Sequence, residues 1–106
     1  MAWTRVCPLE AIPPGATLAL EVGAERLLLC RVDAARVFTV GDVCTHDDGP
    51  LDQAELDGCA IECPRHGARF AVSSGAVLGP PAITPLPTRP TRVAGGWVEI
   101  ETEERP

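Results

Sequence analysis

Two short runs of this chain have the residue types and spacing to do chemistry: Cys44-Thr45-His46 and Cys63-Pro64-Arg65-His66, separated by the sixteen residues 47–62. Each supplies one thiol and one imidazole, and together they use both histidines of the 106 residues. Thiolate and imidazole suit zinc or an iron–sulfur centre, whereas magnesium and calcium take oxygen ligands. Three chemistries compete. Two Cys and two His can close a tetrahedron around structural zinc, but paired zinc ligands usually stand two or more residues apart, and Cys44-x-His46 is tighter. A nucleophilic Cys44 or Cys63, activated by a nearby histidine, uses half of the pattern and leaves the other pair unexplained. A 2Fe–2S centre with two cysteines on one iron and two histidines on the other uses all four residues, and a pair of loops delivers that arrangement.

The elements that must position these loops read as strands. Eleven prolines and 10 glycines are scattered so that few segments could run as a helix of ordinary length. Between them, short apolar runs alternate with period two. The pattern predicts strands at Trp3–Cys7, Thr17–Val22, Arg26–Val32, Arg36–Gly41, Cys59–Cys63, Arg69–Val72, Ala76–Leu78, Arg92–Ala94 and Trp97–Glu101, although Leu27-Leu28-Leu29, in the longest interval free of Pro and Gly, is also compatible with a helix. Gly23-Ala24, Asp33-Ala34-Ala35, Ser73-Ser74-Gly75 and Gly95-Gly96 read as turns. Leu51–Asp57 has room for one helical turn, and Thr102–Pro106 is expected to fray. The first cluster then follows a strand and opens a loop, and the second does the same. Five prolines between 80 and 90 make that stretch a surface connection rather than a central strand. About nine short strands without a long helix imply an all-β antiparallel sandwich or barrel.

Bulk properties narrow the functions. The length suits one domain, 1–106. No run approaches the apolar length of a membrane span, and the start lacks a secretory pattern, so a soluble, cytoplasmic protein is expected. Net charge is −6, with Lys+Arg at 9 against Asp+Glu at 15, which argues against nucleic acid as a partner. Cys7, Cys30 and Cys59 lie in strand-like apolar segments and are expected to pack as small hydrophobes. No Gly-rich phosphate loop and no Gly-x-Ser-x-Gly elbow is present.

The run Cys44-Thr45-His46, then Gly49-Pro50-Leu51, then Glu62-Cys63-Pro64-Arg65-His66-Gly67-Ala68-Arg69-Phe70 resembles Rieske-type 2Fe–2S ferredoxins, the electron carriers of bacterial multicomponent oxygenases. The likeness extends from the N-terminal strand to Glu101. It implies a small antiparallel β-sandwich with a cluster-binding subdomain at about 43–82, and one Rieske 2Fe–2S cluster per chain. By the same resemblance Cys44 and Cys63 would bind the buried iron, His46 and His66 the iron near the surface. Pro80 would lie on a third loop covering the cluster, a role Pro81 could equally fill.

Two departures imply a low potential. Respiratory relatives carry an extra, disulfide-bonded cysteine in each ligand loop, where this chain has Gly49 and Arg65. They also place Ser and Tyr hydroxyls beside the cluster sulfurs, where this chain has Ala68 and Phe70. The expectation is a potential near the low end of the Rieske range, about −150 mV. The implied function is a one-electron carrier rather than an enzyme. Its partners would be a flavoprotein or ferredoxin reductase on one side and a terminal oxygenase on the other, with no membrane and no nucleic acid, and a monomer is expected. Arg65 and Arg69 flank the motif and would either help dock a partner or serve only as solvated surface charges, and Asp47 and Asp48 beside His46 would supply a matching negative rim. The alternatives are a small Rieske subunit of a nitrite reductase or other redox complex, and a zinc-stabilised interaction module.

Overall fold

A computed structural model describes residues 2–45, 49–51, 54–64, 67–80 and 82–102. The alternating segments become strands, all paired antiparallel: β1 (Ala2–Pro8), β2 (Thr17–Val22), β3 (Glu25–Arg31), β4 (Val37–Gly41), β5 (Glu55–Asp57), β6 (Ala60–Glu62), β7 (Arg69–Ala71), β8 (Val77–Gly79), β9 (Thr88–Arg89), β10 (Thr91–Ala94) and β11 (Trp97–Thr102). Among the described residues the one helical element is a 3-10 turn at Leu9–Ala11.

Three sheets result, ordered β1-β11-β10, β2-β3-β4-β9 and β5-β6-β7-β8. The second lies between the other two, and β3 shows why. Leu27, Leu28, Leu29 and Cys30 are all buried, so both faces of this strand are covered, and the apolar run is continuous instead of alternating. Leu29 joins Cys7, Ile12, Val37 and Val98 in a core against the first sheet. Leu28 and Cys30 join Val40 in a second core, towards β5–β8.

The outward face of the first sheet is polar and self-contained. Direct cross-strand pairing sets both Arg5 and Arg92 opposite Glu99. Glu99 therefore accepts from Arg92 at 2.6 Å and pairs with Arg5 at 3.5 Å, while its own side chain is 10% exposed. Arg92 covers the Trp3 ring at 4.2 Å and Arg5 covers the Trp97 ring at 5.2 Å. A stack of Trp, Arg, Glu, Arg and Trp closes over the strands.

Four expectations change. Within Leu51–Asp57, Ala54 N–H donates to Leu51 O at 2.9 Å, and Glu55–Asp57 is strand β5 rather than helix. The alternation of exposed Glu55 and Asp57 around Leu56 favours an extended pairing with β6 over a helical turn. Cys59 is not a core residue: the strand begins at Ala60, and Cys59 sits exposed in the turn after Asp57. The Pro-rich stretch contributes β9, a two-residue strand at the sheet edge, where proline neighbours are tolerated. β5 and β9 bring the described strands to eleven. β11 ends at Thr102, and the residues expected to fray beyond it lie outside the described ones.

Candidate metal centre

Each ligand loop opens where a strand stops pairing, and both close in the same way. Cys44 N–H donates to Gly49 O at 2.7 Å, and Cys63 N–H donates to Ala68 O at 2.8 Å. In each case the cysteine amide reaches the carbonyl five positions on, so the two loops are equal in size although their Cys–His spacings differ. Gly67 N–H also bonds back to Cys63 O at 2.9 Å. Its φ of 75° is a left-handed conformation that glycine adopts at little steric cost.

Residues 82–87 lie beside the first ligand loop. Thr45 Oγ1 donates to Thr84 O, tying this stretch to the first ligand loop. Ala82 and Leu86 are each 3% exposed and pack into the core that contains Cys44 and Cys63. Leu86 N–H donates to Gly75 O at 2.8 Å, and Gly41 N–H donates to Pro87 O at 2.8 Å. The connection is therefore built into the fold on both flanks, with Pro80 and Ile83 facing outward.

Cys44 and Cys63 themselves are fully buried in one cluster with Leu51, Ile61, Ala68, Phe70 and Val72. Two sulfur donors from separate loops thus share one buried apolar core. That donor set fits a thiolate-bound iron–sulfur centre. Cys30 shares the same core, but burial pushes its thiol up to about 12, and its sulfur approaches Leu28 O at 3.9 Å. It is a protonated packing residue. Among the described residues no set of three or more His, Cys, Asp or Glu side chains gathers anywhere as a rival metal site.

The other sequence candidates divide. His46, His66, Asp47, Asp48, Arg65 and Pro81 lie outside the described residues. Arg69 is described, and it faces Asp57 and Glu62, each at 3.7 Å, on the exposed side of β5–β7. Ala68 and Phe70, neither of which carries a hydroxyl, are fully buried in the core that contains the two thiols. Sequence reasoning passes over Asp42, a carboxylate that is 4% exposed, whose signal is a lone charge at the end of an apolar strand.

The fold and the convergent thiols define a small β-sheet iron–sulfur protein, and comparison with known proteins supplies the family. The Rieske [2Fe-2S] domain family matches residues 2–90. The ferredoxin subunit of biphenyl dioxygenase from Pseudomonas sp. (strain KKS102) is 34% identical over 102 residues, covering 95% of this chain and 93% of that protein. The ferredoxin of carbazole 1,9a-dioxygenase from Nocardioides aromaticivorans IC177 superposes with a TM-score of 0.90 at 27% identity, covering 97% of this chain and 100% of that one. A chain in the complex of reduced oxygenase and oxidized ferredoxin in carbazole 1,9a-dioxygenase superposes at 0.86 with 34% identity, covering 97% and 95%. The chain belongs to the Rieske [2Fe-2S] domain family.

Proposed function

We propose that the protein is the ferredoxin component of an oxygenase system, a one-electron carrier that takes electrons from an NAD(P)H-dependent reductase and delivers them to a terminal oxygenase. The observation that carries this reading is the convergence of Cys44 and Cys63, fully buried, from two loops closed by the same hydrogen bond. Its relatives are ferredoxin subunits of dioxygenases, and one solved neighbour comes from a complex of ferredoxin with oxygenase.

In this reading Cys44 and Cys63 hold the inner iron and His46 and His66 the outer one, within a cluster-binding region of about 43–82. When bound, the cluster accepts and returns one electron. The chain does the rest. Leu51, Ile61, Phe70 and Leu86 exclude water from the sulfurs. The loop closures at Cys44–Gly49 and Cys63–Ala68 fix the direction from which each thiolate approaches. Pro80, exposed at the start of the third stretch, forms the proposed cover. Ala68 and Phe70 donate nothing to the sulfurs, which supports a potential of about −150 mV. A cytoplasmic location accords with Cys7, Cys30 and Cys59, carried as thiols rather than disulfides.

The test is the visible and EPR spectrum of anaerobically purified protein before and after dithionite. A red-brown protein that bleaches and gives a rhombic signal with average g below the free-electron value is expected. A colourless, EPR-silent protein carrying one zinc would overturn the reading, and a midpoint above about +100 mV would overturn the low-potential assignment.

A further inference from the structure

Asp42 stands two residues before Cys44, at the end of β4, and it is buried where a carboxylate needs a reason to be. Its Oδ1 accepts the Leu51 N–H at 2.7 Å. Its Oδ2 faces the Arg26 guanidinium at 3.3 Å, and its own N–H donates to Arg26 O at 3.0 Å. Leu51, in turn, is fully buried in the core that holds both thiols. The carboxylate thus spans the mouth of the first ligand loop, joining its entry to its exit.

The two charges are unequally placed. The Asp42 side chain is 2% exposed and that of Arg26 is 58% exposed. Water therefore screens the guanidinium more strongly than it screens the carboxylate. A negative charge close to a redox group, if only partly offset, opposes its reduction.

We propose that Asp42 is a positioning residue of the cluster site with two separable actions: its carboxylate pins the 42–51 loop through the Leu51 amide, and its incompletely screened charge holds the reduction potential down. This inference rests on the electron-carrier reading. A charged acceptor makes a stronger bond to an amide than a neutral one does, which accounts for the strut. The amide oxygen of Asn can still accept from Leu51 N–H but carries no charge, so substitution separates the two actions.

The experiment compares intact wild-type protein with Asp42→Asn, Asp42→Ala and Arg26→Gln. Iron, acid-labile sulfide and EPR come first, because a wild type without iron and sulfide fails the electron-carrier reading itself. With a loaded wild type, Asp42→Asn is expected to raise the midpoint potential, and the rise should persist at high salt because the charge it removes is buried. Arg26→Gln is expected to lower the potential by a smaller amount. Asp42→Ala, which also deletes the acceptor, should release iron to a chelator several-fold faster than Asp42→Asn. An unchanged or lowered potential in Asp42→Asn overturns the electrostatic action, and equal iron release from the two Asp42 variants overturns the strut. If Asp42→Asn does not load, Arg26→Gln decides: a lowered potential upholds the electrostatic action and an unchanged one overturns it.

Discussion

The strands that form the base of the molecule and the strands that surround the thiols are built on different terms. β1 and β3 run for seven residues and β11 for six, whereas β5, β6, β7 and β8 have three each. The base carries its own apolar core and a polar face closed by Glu99 between Arg5 and Arg92. The thiol-bearing half draws much of its core from loop residues, Leu51, Ala54, Ala82 and Leu86, and from the neighbouring sheet. Strands this short are marginal by themselves. From this contrast the base is expected to stand without a metal and the other half to depend for its order on what the two thiols hold together.

Removing the iron is the strongest way to break this contrast. Hydrogen exchange of the apo-protein should show amides of β5–β8 losing about a hundredfold in protection while β1, β3 and β11 keep theirs. Equal loss in both halves would erase the distinction. Gly75→Ala acts at the seam. Gly75 has φ +78°, and an added Cβ would lie 2.2 Å from Leu86 O, so the hydrogen bond between the two segments cannot survive unchanged. We expect a destabilisation of about 3 kcal/mol in chemical denaturation, with iron lost before the base unfolds. A base that unfolds first would reverse the assignment of strength.

The smallest effect sharpens the base alone. The Arg92 hydrogen bond, together with Arg5, holds the Glu99 carboxyl below its ordinary range. A group lowered in this way stabilises the fold fully above the ordinary carboxylate value of about 4.3, and that contribution is lost as pH falls through the lowered value. Melting temperature should therefore drop with acid below about pH 4, and Glu99→Gln should flatten the drop. The slope should not vanish, because Asp33, lowered first by the Ala35 amide and then by Arg36, titrates in the same direction. An unaltered slope in Glu99→Gln would remove Glu99 from the account.

The base was legible in the sequence because local rules govern it. Alternation in Thr17–Val22 and the Gly-containing turns translate into strands and hairpins without outside information, whereas the run at Leu27–Cys30 is compatible with a helix until its pairing with β2 and β4 makes it a strand. The candidate ligands stood out for a different reason, since Cys and His at two short spacings suggest chemistry whatever the fold; of the four, the structure describes Cys44 and Cys63. Tertiary partners decide the rest. Asp42 gains its meaning from Leu51 and Arg26, nine and sixteen positions away, and no periodicity announces either. Cys59 belongs to an apolar-looking run yet falls in a turn, because pairing with β5 sets the start of the strand at Ala60. The burial of Leu86 within a proline-rich stretch depends likewise on Gly75 across the fold.

The pairing of β4 with β9 has a consequence for how such proteins diversify. The chain leaves the middle sheet at Gly41 and rejoins it at Thr88, and these strands lie side by side with Val40 opposite Thr88. In topological terms, residues 42–87 are one oversized hairpin loop whose two ends are already neighbours. Such a cassette can be exchanged without moving the register of any strand outside it, because its ends meet the same rung of the ladder whatever lies between. The requirement on a replacement is an apolar underside that fits Leu28, Cys30 and Val40. A lineage could thereby retune its electron carrier by swapping one contiguous segment while leaving the base as it was.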